Sequence, residues 1–186
     1  GIRDMTDPWI KRVVIGASTL YLGDNLKILP ALGRLDAIVT DPPYGIGYDS
    51  DNAKHKGKFG RVYYGESNWD DKRPDKEIFD IMLAQSDLQI IWGGNYFTDY
   101  LPPTMRWLIW DKARNFSLAD GEVAWTNQWK ALRIKTYSRG KAITRRDGNF
   151  HPTQKPVEIM EWCLTFIPED KVVVDPFMSS GSTGVA

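Results

Sequence analysis

Residues 35–44 decide the fold and read Leu-Asp-Ala-Ile-Val-Thr-Asp-Pro-Pro-Tyr. The first six residues are mostly apolar or β-branched, which is typical of a buried strand. Two prolines follow at once and end the strand in a stiff, extended turn. The turn places Asp41 and Tyr44 at the carboxyl end of the strand, which is where open parallel sheets bind their ligands.

Similar apolar runs recur along the chain and alternate with helical patterns. Strands are predicted at residues 13–15, 35–40, 88–92, 107–110 and 171–174. Helices are predicted at residues 25–32, 75–85 and 156–166, where apolar side chains recur at helical spacing. This alternation predicts an α/β fold with a mostly parallel sheet and helices on both faces. The length suits one domain, 1–186.

The composition is that of an ordinary globular chain. It is 42% hydrophobic, and its 24 Lys and Arg residues balance its 24 Asp and Glu residues. No apolar run approaches the length of a membrane span, and the single cysteine, Cys163, suits the reducing cytoplasm. His55 and His151 show no metal-ligand spacing. We therefore expect a cytoplasmic protein with no metal and no membrane partner.

Positive charge is concentrated in two segments. Residues 127–150 hold seven basic residues against one acidic residue, and residues 51–64 hold four against one. Interleaved aromatic residues favour contact with phosphates over a merely solvated face. The residues predicted to bind nucleic acid are Lys54, Lys56, Lys58, Arg61, Arg133, Lys135, Arg139, Lys141, Arg145 and Arg146. The irregular stretch 41–74 is expected to be a mobile, functional loop.

The residue types of the Asp-Pro-Pro-Tyr turn suit a particular kind of ligand. The Asp41 carboxylate and the Pro42 carbonyl both accept hydrogen bonds, so together they suit an exocyclic amine that offers two N–H donors. The ring of Tyr44 suits a planar base that has left its duplex. The alternative is a proline-stiffened turn in which Asp41 is only a cap.

Two further motifs lie where a ligand would bind. Residues 172–184 read Val-Val-Val-Asp-Pro-Phe-Met-Ser-Ser-Gly-Ser-Thr-Gly, a strand followed by an acidic residue and a loop of small residues. Such a loop lets a ligand approach the backbone closely. Residues 151–156 read His-Pro-Thr-Gln-Lys-Pro and offer hydroxyl, amide and ammonium donors at a helix N-terminus, which suits a carboxylate. A plain turn and a plain helix start are the alternatives.

Taken together and in this order, the three motifs resemble those of the permuted β group of DNA amino-methyltransferases, which use S-adenosylmethionine. Shorter matches at residues 22–26, 91–95 and 107–112 agree with the resemblance. It implies a Rossmann-like methyltransferase fold, S-adenosylmethionine as cofactor and double-stranded DNA as partner. A homodimer or a partner subunit is left open.

The resemblance also implies roles for individual residues. The implied catalytic residues are Asp41, Pro42, Pro43 and Tyr44. The implied cofactor-binding residues are Asp24, Thr153, Lys155, Asp175, Phe177, Ser179, Ser180 and Gly181. Among these, Thr153 and Lys155 would hold the methionine end of the cofactor, and Asp24 would either contact its adenine or cap a helix.

Two departures from the family pattern are expected to matter. Ser179 stands where the family usually has glycine, so a positive φ there would strain the backbone. The sequence stops at Ala186, before the helix and strand expected next, which predicts a truncated fold. Asp41 at the first motif position favours N6-adenine as the target. An N4-cytosine methyltransferase and a non-catalytic DNA-binding subunit of the same fold are the alternatives.

Neutralising Arg139, Arg145 and Arg146 together tests the role of the basic segment. Replacing all three with Gln is expected to weaken binding to duplex DNA of any sequence. The slope of log K against log salt should flatten by about 0.9 for each phosphate that the variant no longer neutralises. Fluorescence anisotropy titrations at several salt concentrations measure both quantities. An unchanged slope would mean that residues 127–150 form only a solvated face.

Overall fold

Eight strands and four α-helices form within the residues that the computed structural model describes, which are 7–47, 70–113, 119–128, 130–138, 155–179 and 181–186. The strands are β1 (Lys11–Ile15), β2 (Ser18–Leu22), β3 (Leu35–Thr40), β4 (Ser86–Trp92), β5 (Trp107–Asp111), β6 (Gly121–Thr126), β7 (Arg133–Thr136) and β8 (Val173–Val174). The helices are α1 (Asn25–Leu32), α2 (Lys76–Gln85), α3 (Val157–Leu164) and α4 (Ser182–Val185), and a 3-10 turn spans Gly94–Tyr96.

Six of these strands form one mixed sheet in the order β7-β5-β6-β4-β3-β8. The strands β8, β3 and β4 are parallel neighbours, and so are β5 and β7. Strand β6 lies between β4 and β5 and runs antiparallel to both. The prediction of a mostly parallel sheet is therefore confirmed, with one reversed strand inside it. The strands β1 and β2 form a separate antiparallel hairpin.

Helices cover both faces of the sheet, as the strand–helix alternation predicted. Successive side chains of a strand point to opposite faces, so Val39 and Ile38 enter different cores. Val39 packs in a cluster with Cys163 and its neighbours on α3. Ile38 packs in a second cluster with Leu29 of α1 and Phe79 of α2. Burying apolar area on both sides holds the central strands in register.

The structure differs from the sequence prediction at the margins of the sheet. The run at 171–174 forms only a two-residue strand, Val173–Val174. Strand β2 was not predicted, because its sequence Ser-Thr-Leu-Tyr-Leu does not alternate sharply between apolar and polar residues. Its side chains are exposed or half-buried. Strand β7 lies inside the basic segment and forms an edge of the sheet. In the described part of the chain, no helix has the length and apolar character that spanning a membrane requires.

Truncating Phe79 tests the core beneath α2. Its side chain is fully buried, and its ring packs 4.7 Å from that of Phe97 and 5.2 Å from that of Tyr100, between ring centroids. We expect Phe79→Ala to lower the free energy of unfolding by about 3–5 kcal/mol, because it leaves a cavity. Met105→Ala, at a side chain that is 62% exposed, should change it by less than about 0.5 kcal/mol. Urea denaturation measures both, and equal losses would contradict this assignment of the core.

Candidate functional site: a charged cluster at the carboxyl ends of the central strands

The two acidic motifs predicted from the sequence meet at one edge of the sheet. Asp41 follows β3 and Asp175 follows β8, and these strands are parallel neighbours. Thr40, the last residue of β3, donates a hydrogen bond of 2.6 Å from its hydroxyl to Oδ1 of Asp175. The turn at Asp41 and the loop after Asp175 therefore lie side by side, although they are far apart in the sequence.

A buried lysine lies at the centre of the site. The side chain of Lys155 is only 4% exposed. Its Nζ lies 2.7 Å from Oδ2 of Asp41, 2.8 Å from Oε2 of Glu122 and 3.0 Å from the hydroxyl of Tyr44. These three contacts use all three N–H donors of the ammonium. The family resemblance implied that Lys155 holds the cofactor's methionine end; in the structure its three donors contact Asp41 and Tyr44 of the proline turn and Glu122 of β6.

Opposite charges alternate through this cluster. Glu122, on β6, accepts from Lys155 through Oε2, and its Oε1 lies 2.6 Å from Nζ of Lys112. Burial alone would raise the pKa of Glu122, but the two ammonium groups lower it to about 2. Burial alone would likewise lower the pKa of Lys155, but Asp41 and Glu122 raise it well above its ordinary value. Glu122 and Lys155 are therefore charged at neutral pH.

Tyr44 is fixed beside this cluster by its hydroxyl and by its ring. The hydroxyl donates a hydrogen bond of 2.7 Å to Oδ1 of Asp41, while burial and the Asp41 charge raise the pKa of Tyr44 well above its ordinary value. The ring stacks on that of Tyr96 with a centroid distance of 4.7 Å. Gly93 lets the ring approach, because a β-carbon there would lie 2.1 Å from Cε1 of Tyr44.

The backbone after the proline turn is anchored by a buried carboxylate. Oδ1 of Asp70 accepts from the backbone N–H of Tyr44 at 2.7 Å and from that of Gly45 at 2.9 Å. Asp70 is itself only 2% exposed. Buried backbone N–H groups need such acceptors, so Asp70 fixes the direction in which the turn leaves the sheet.

The loop after β8 is organised around Asp175. Its Oδ1 accepts from the backbone N–H of Phe177 at 3.0 Å, and its Oδ2 accepts from the hydroxyl of Thr183 at 2.6 Å. Burial raises the pKa of Asp175, against the hydrogen bonds from Thr183 and Thr40 that lower it. Ser179 has a φ of 46°, so the strain expected from a serine at this position is present. Gly181 has open space where a β-carbon would be.

Three more predicted site residues, Asp24, Arg133 and Lys135, make contacts outside the charged cluster or are exposed, and ten lie outside the described part of the chain. Asp24 caps α1, because its Oδ1 accepts from the backbone N–H of Leu26 at 3.0 Å. Arg133 is exposed on the edge strand β7, and Nζ of Lys135 lies 3.4 Å from the backbone oxygen of Glu158. Outside the described residues lie Lys54, Lys56, Lys58, Arg61, Arg139, Lys141, Arg145, Arg146, Thr153 and Ser180, together with most of the predicted 41–74 loop.

Sequence reasoning missed Glu122 and Asp70. Glu122 is the one charged residue in the β6 sequence Gly-Glu-Val-Ala-Trp-Thr, and a charge inside an otherwise apolar strand is a signal for a buried partner. Asp70 lies in an acidic run and carries no comparable signal. No group of three or more His, Cys, Asp or Glu side chains among the described residues is placed to hold a metal ion.

Comparison with known families identifies the class of protein. The N6/N4 methyltransferase family, described as DNA methylase, matches residues 85–186, which is more than half of the chain. The chain therefore belongs to this family of DNA methyltransferases, whose methyl donor is S-adenosylmethionine. The matched range includes Glu122, Lys155 and Asp175 but begins after Asp41, whose place in the site comes from the structure.

Solved structures show the same fold. The crystal structure of the M1.HpyAVI–SAM complex superposes with a TM-score of 0.52 at 20% identity, covering 88% of this chain and 83% of that one. The crystal structure of M1.HpyAVI alone gives 0.50 at 19% identity, with 88% and 82% covered. The Rossmann-like methyltransferase fold expected from the motifs is thereby confirmed. Comparison with curated proteins gives no match.

Adding a methyl group at Gly93 tests how Tyr44 is placed. Gly93 has a φ of 67°, and Gly33 has a φ of 71° with nothing near its missing β-carbon. Both Gly33→Ala and Gly93→Ala should lose about 1–2 kcal/mol of unfolding free energy from backbone strain. Gly93→Ala should lose about 1–3 kcal/mol more, because Tyr44 must move. Urea denaturation compares the two, and equal losses would mean that the ring does not pack on Gly93.

Proposed function

We propose that this protein transfers a methyl group from S-adenosylmethionine to the exocyclic N6 of adenine in double-stranded DNA. The observation that carries the proposal is the hydrogen bond between Thr40 and Asp175. It joins the turn suited to an amine acceptor with the loop suited to the cofactor. Methyl transfer needs these two sites within bonding reach of each other, and the adjacent ends of β3 and β8 meet that need.

The loop after β8 fits the cofactor. Residues 179–184 of this loop are small, and the space beside Gly181 is open. Phe177 is half-buried and presents an aromatic surface, while Asp175 supplies a carboxylate at the strand end. We assign Asp175, Phe177, Ser179, Ser180 and Gly181 to cofactor binding, along with Thr153. When bound, S-adenosylmethionine supplies an electrophilic methyl group on a positively charged sulfur.

The Asp41 turn would hold the accepting amine. The Asp41 side chain is 25% exposed, so a ligand can reach it, and each of its oxygens keeps a further lone pair beside the contacts to Tyr44 and Lys155. The carboxylate and the Pro42 carbonyl would accept the two N–H bonds of the amine. This leaves the nitrogen lone pair directed out of the base plane and toward the methyl group.

The chemical step then needs positioning more than strong base catalysis. With the cofactor bound, the amine nitrogen would take the methyl group as the carbon–sulfur bond breaks, and Asp41 would be available to accept the proton that the methylated amine gives up. Because the methyl donor is already activated, orientation and electrostatic stabilisation supply most of the rate. Tyr44 would stack on the base in place of Tyr96, whose ring lies on it in this structure, and Pro43 keeps the turn stiff.

The choice of adenine rests on the residue type at the first motif position. In the resembling family, an aspartate at the position of Asp41 goes mostly with N6-adenine, whereas a serine there goes mostly with N4-cytosine. Exposed Arg133 and the other predicted basic residues would contact the phosphates. The strain at Ser179 favours a second candidate, a DNA-binding subunit that keeps the fold but does not bind the cofactor.

Mass spectrometry of nucleosides tests the proposal directly. Unmethylated mixed-sequence duplex DNA incubated with the protein and S-adenosylmethionine should yield N6-methyladenine. N4-methylcytosine would keep the mechanism and overturn the choice of base. Absence of any S-adenosylmethionine binding by calorimetry would favour the second candidate.

Removing the carboxylate tests the role of Asp41. We expect Asp41→Ala to lower methyl transfer by at least about 100-fold, because the amine loses its acceptor and Lys155 loses a partner. Cofactor affinity measured by calorimetry should stay within about threefold. Asp87→Asn, at an exposed carboxylate paired with Arg34, is the matched control and should keep full activity. A fully active Asp41→Ala enzyme would disprove the assignment.

A further inference from the structure

Asp41 is the end of a chain of alternating charges that runs across the sheet. Nζ of Lys112 lies 2.6 Å from Glu122, Glu122 lies 2.8 Å from Nζ of Lys155, and that nitrogen lies 2.7 Å from Asp41. Two cations and two anions balance each other along this chain. Of the four groups, only Asp41 lies in the turn predicted to touch the substrate.

The chain of charges leaves Lys155 little freedom. Its side chain is 4% exposed, and each of its donors has a partner. The flat rings of Trp92 and Tyr44 lie beside the ammonium, at 5.4 and 5.5 Å from Nζ to the ring centroids. Lys155 can therefore hold Oδ2 of Asp41 in a fixed position as long as its ammonium is also bound by Glu122.

We propose that Glu122 is a positioning residue that orients the Asp41 carboxylate through Lys155, and that Lys112 in turn fixes Glu122. This inference rests on the proposed function of Asp41 as the acceptor of the amine. Glu122 does not touch the substrate itself. Because Glu122 shares the Lys155 ammonium, Asp41 does not pair with that ammonium alone. The carboxylate therefore retains the lone pairs that the amine needs.

The charge balance decides what loss of Glu122 would do. With a neutral side chain at this position, the cluster would carry one excess positive charge, and Lys155 would pair with Asp41 alone. The pKa of Lys155 would fall, because Glu122 is one of the groups that raise it. Among the described residues, Lys155 also interacts with Asp41 and Tyr44 of the β3 turn and with Cys163 of α3. Burial raises the pKa of Cys163 to about 12.

The test compares Glu122→Gln, Glu122→Asp and Asp120→Asn. Asp120 is an exposed carboxylate two residues before Glu122 and outside the cluster, so its variant repeats the charge change without removing a contact of Lys155. We expect Glu122→Gln to lower kcat on the order of 10- to 100-fold, with KM for S-adenosylmethionine within about threefold. Glu122→Asp should recover part of kcat, and Asp120→Asn should match the wild type.

The pH profile separates positioning from a structural effect. Activity that needs the Lys155 ammonium falls as pH rises through the pKa of that group. In Glu122→Gln this decline should begin at lower pH, because the pKa is lower. In Lys112→Gln the decline should not move to lower pH, because Glu122 still acts on Lys155. A decline that moves in one variant and not in the other is not expected from a general loss of stability.

A measurement without catalysis keeps the inference distinct from the proposed function. NMR of isotope-labelled lysine side chains, with Lys155→Arg for assignment, follows the Lys155 ammonium during a pH titration. Its midpoint should fall in Glu122→Gln but not in Lys112→Gln, even if the wild type methylates no DNA. Equal midpoints, or an active wild type with unchanged kcat in Glu122→Gln, would overturn the inference.

Discussion

The site depends on the compensation of one buried positive charge, that of Lys155. An ammonium taken out of water costs several kcal/mol unless anions replace its hydration, and here Asp41 and Glu122 do so. To supply them, the carboxyl end of β3 and the beginning of β6 must both lie next to Lys155, two residues before α3. The packing that brings Lys155 to the edge of the sheet therefore also fixes the position of the predicted catalytic turn.

Much of this arrangement could be predicted from the sequence, because its signals are local. The strand and proline turn at 35–44, the strand and small-residue loop near Asp175, and the cap of α1 at Asp24 all follow from side-chain periodicity and turn chemistry. The strain at Ser179 also followed, since a glycine-type position predicts a positive φ.

What the sequence could not predict are the partners of charged residues. Lys155 lies in a motif that suits a carboxylate, and it does bind carboxylates, but those of Asp41 and Glu122 in the same chain. That choice depends on which strands are neighbours and on the direction of β6, and neither follows from local patterns. The role of Asp70 could not be predicted for the same reason. The backbone N–H groups from which it accepts lie 25 and 26 positions away in the sequence.

The reversed direction of β6 has a consequence for how the site comes into being. Glu122, the second residue of β6, lies at the same edge as the last residues of the parallel strands because β6 runs the other way. The charges thus come from three segments that are distant in sequence, and they have all their partners only when the sheet is complete. A half-assembled sheet would contain isolated charges at its edge, so burial of the cluster favours an all-or-none final step in folding.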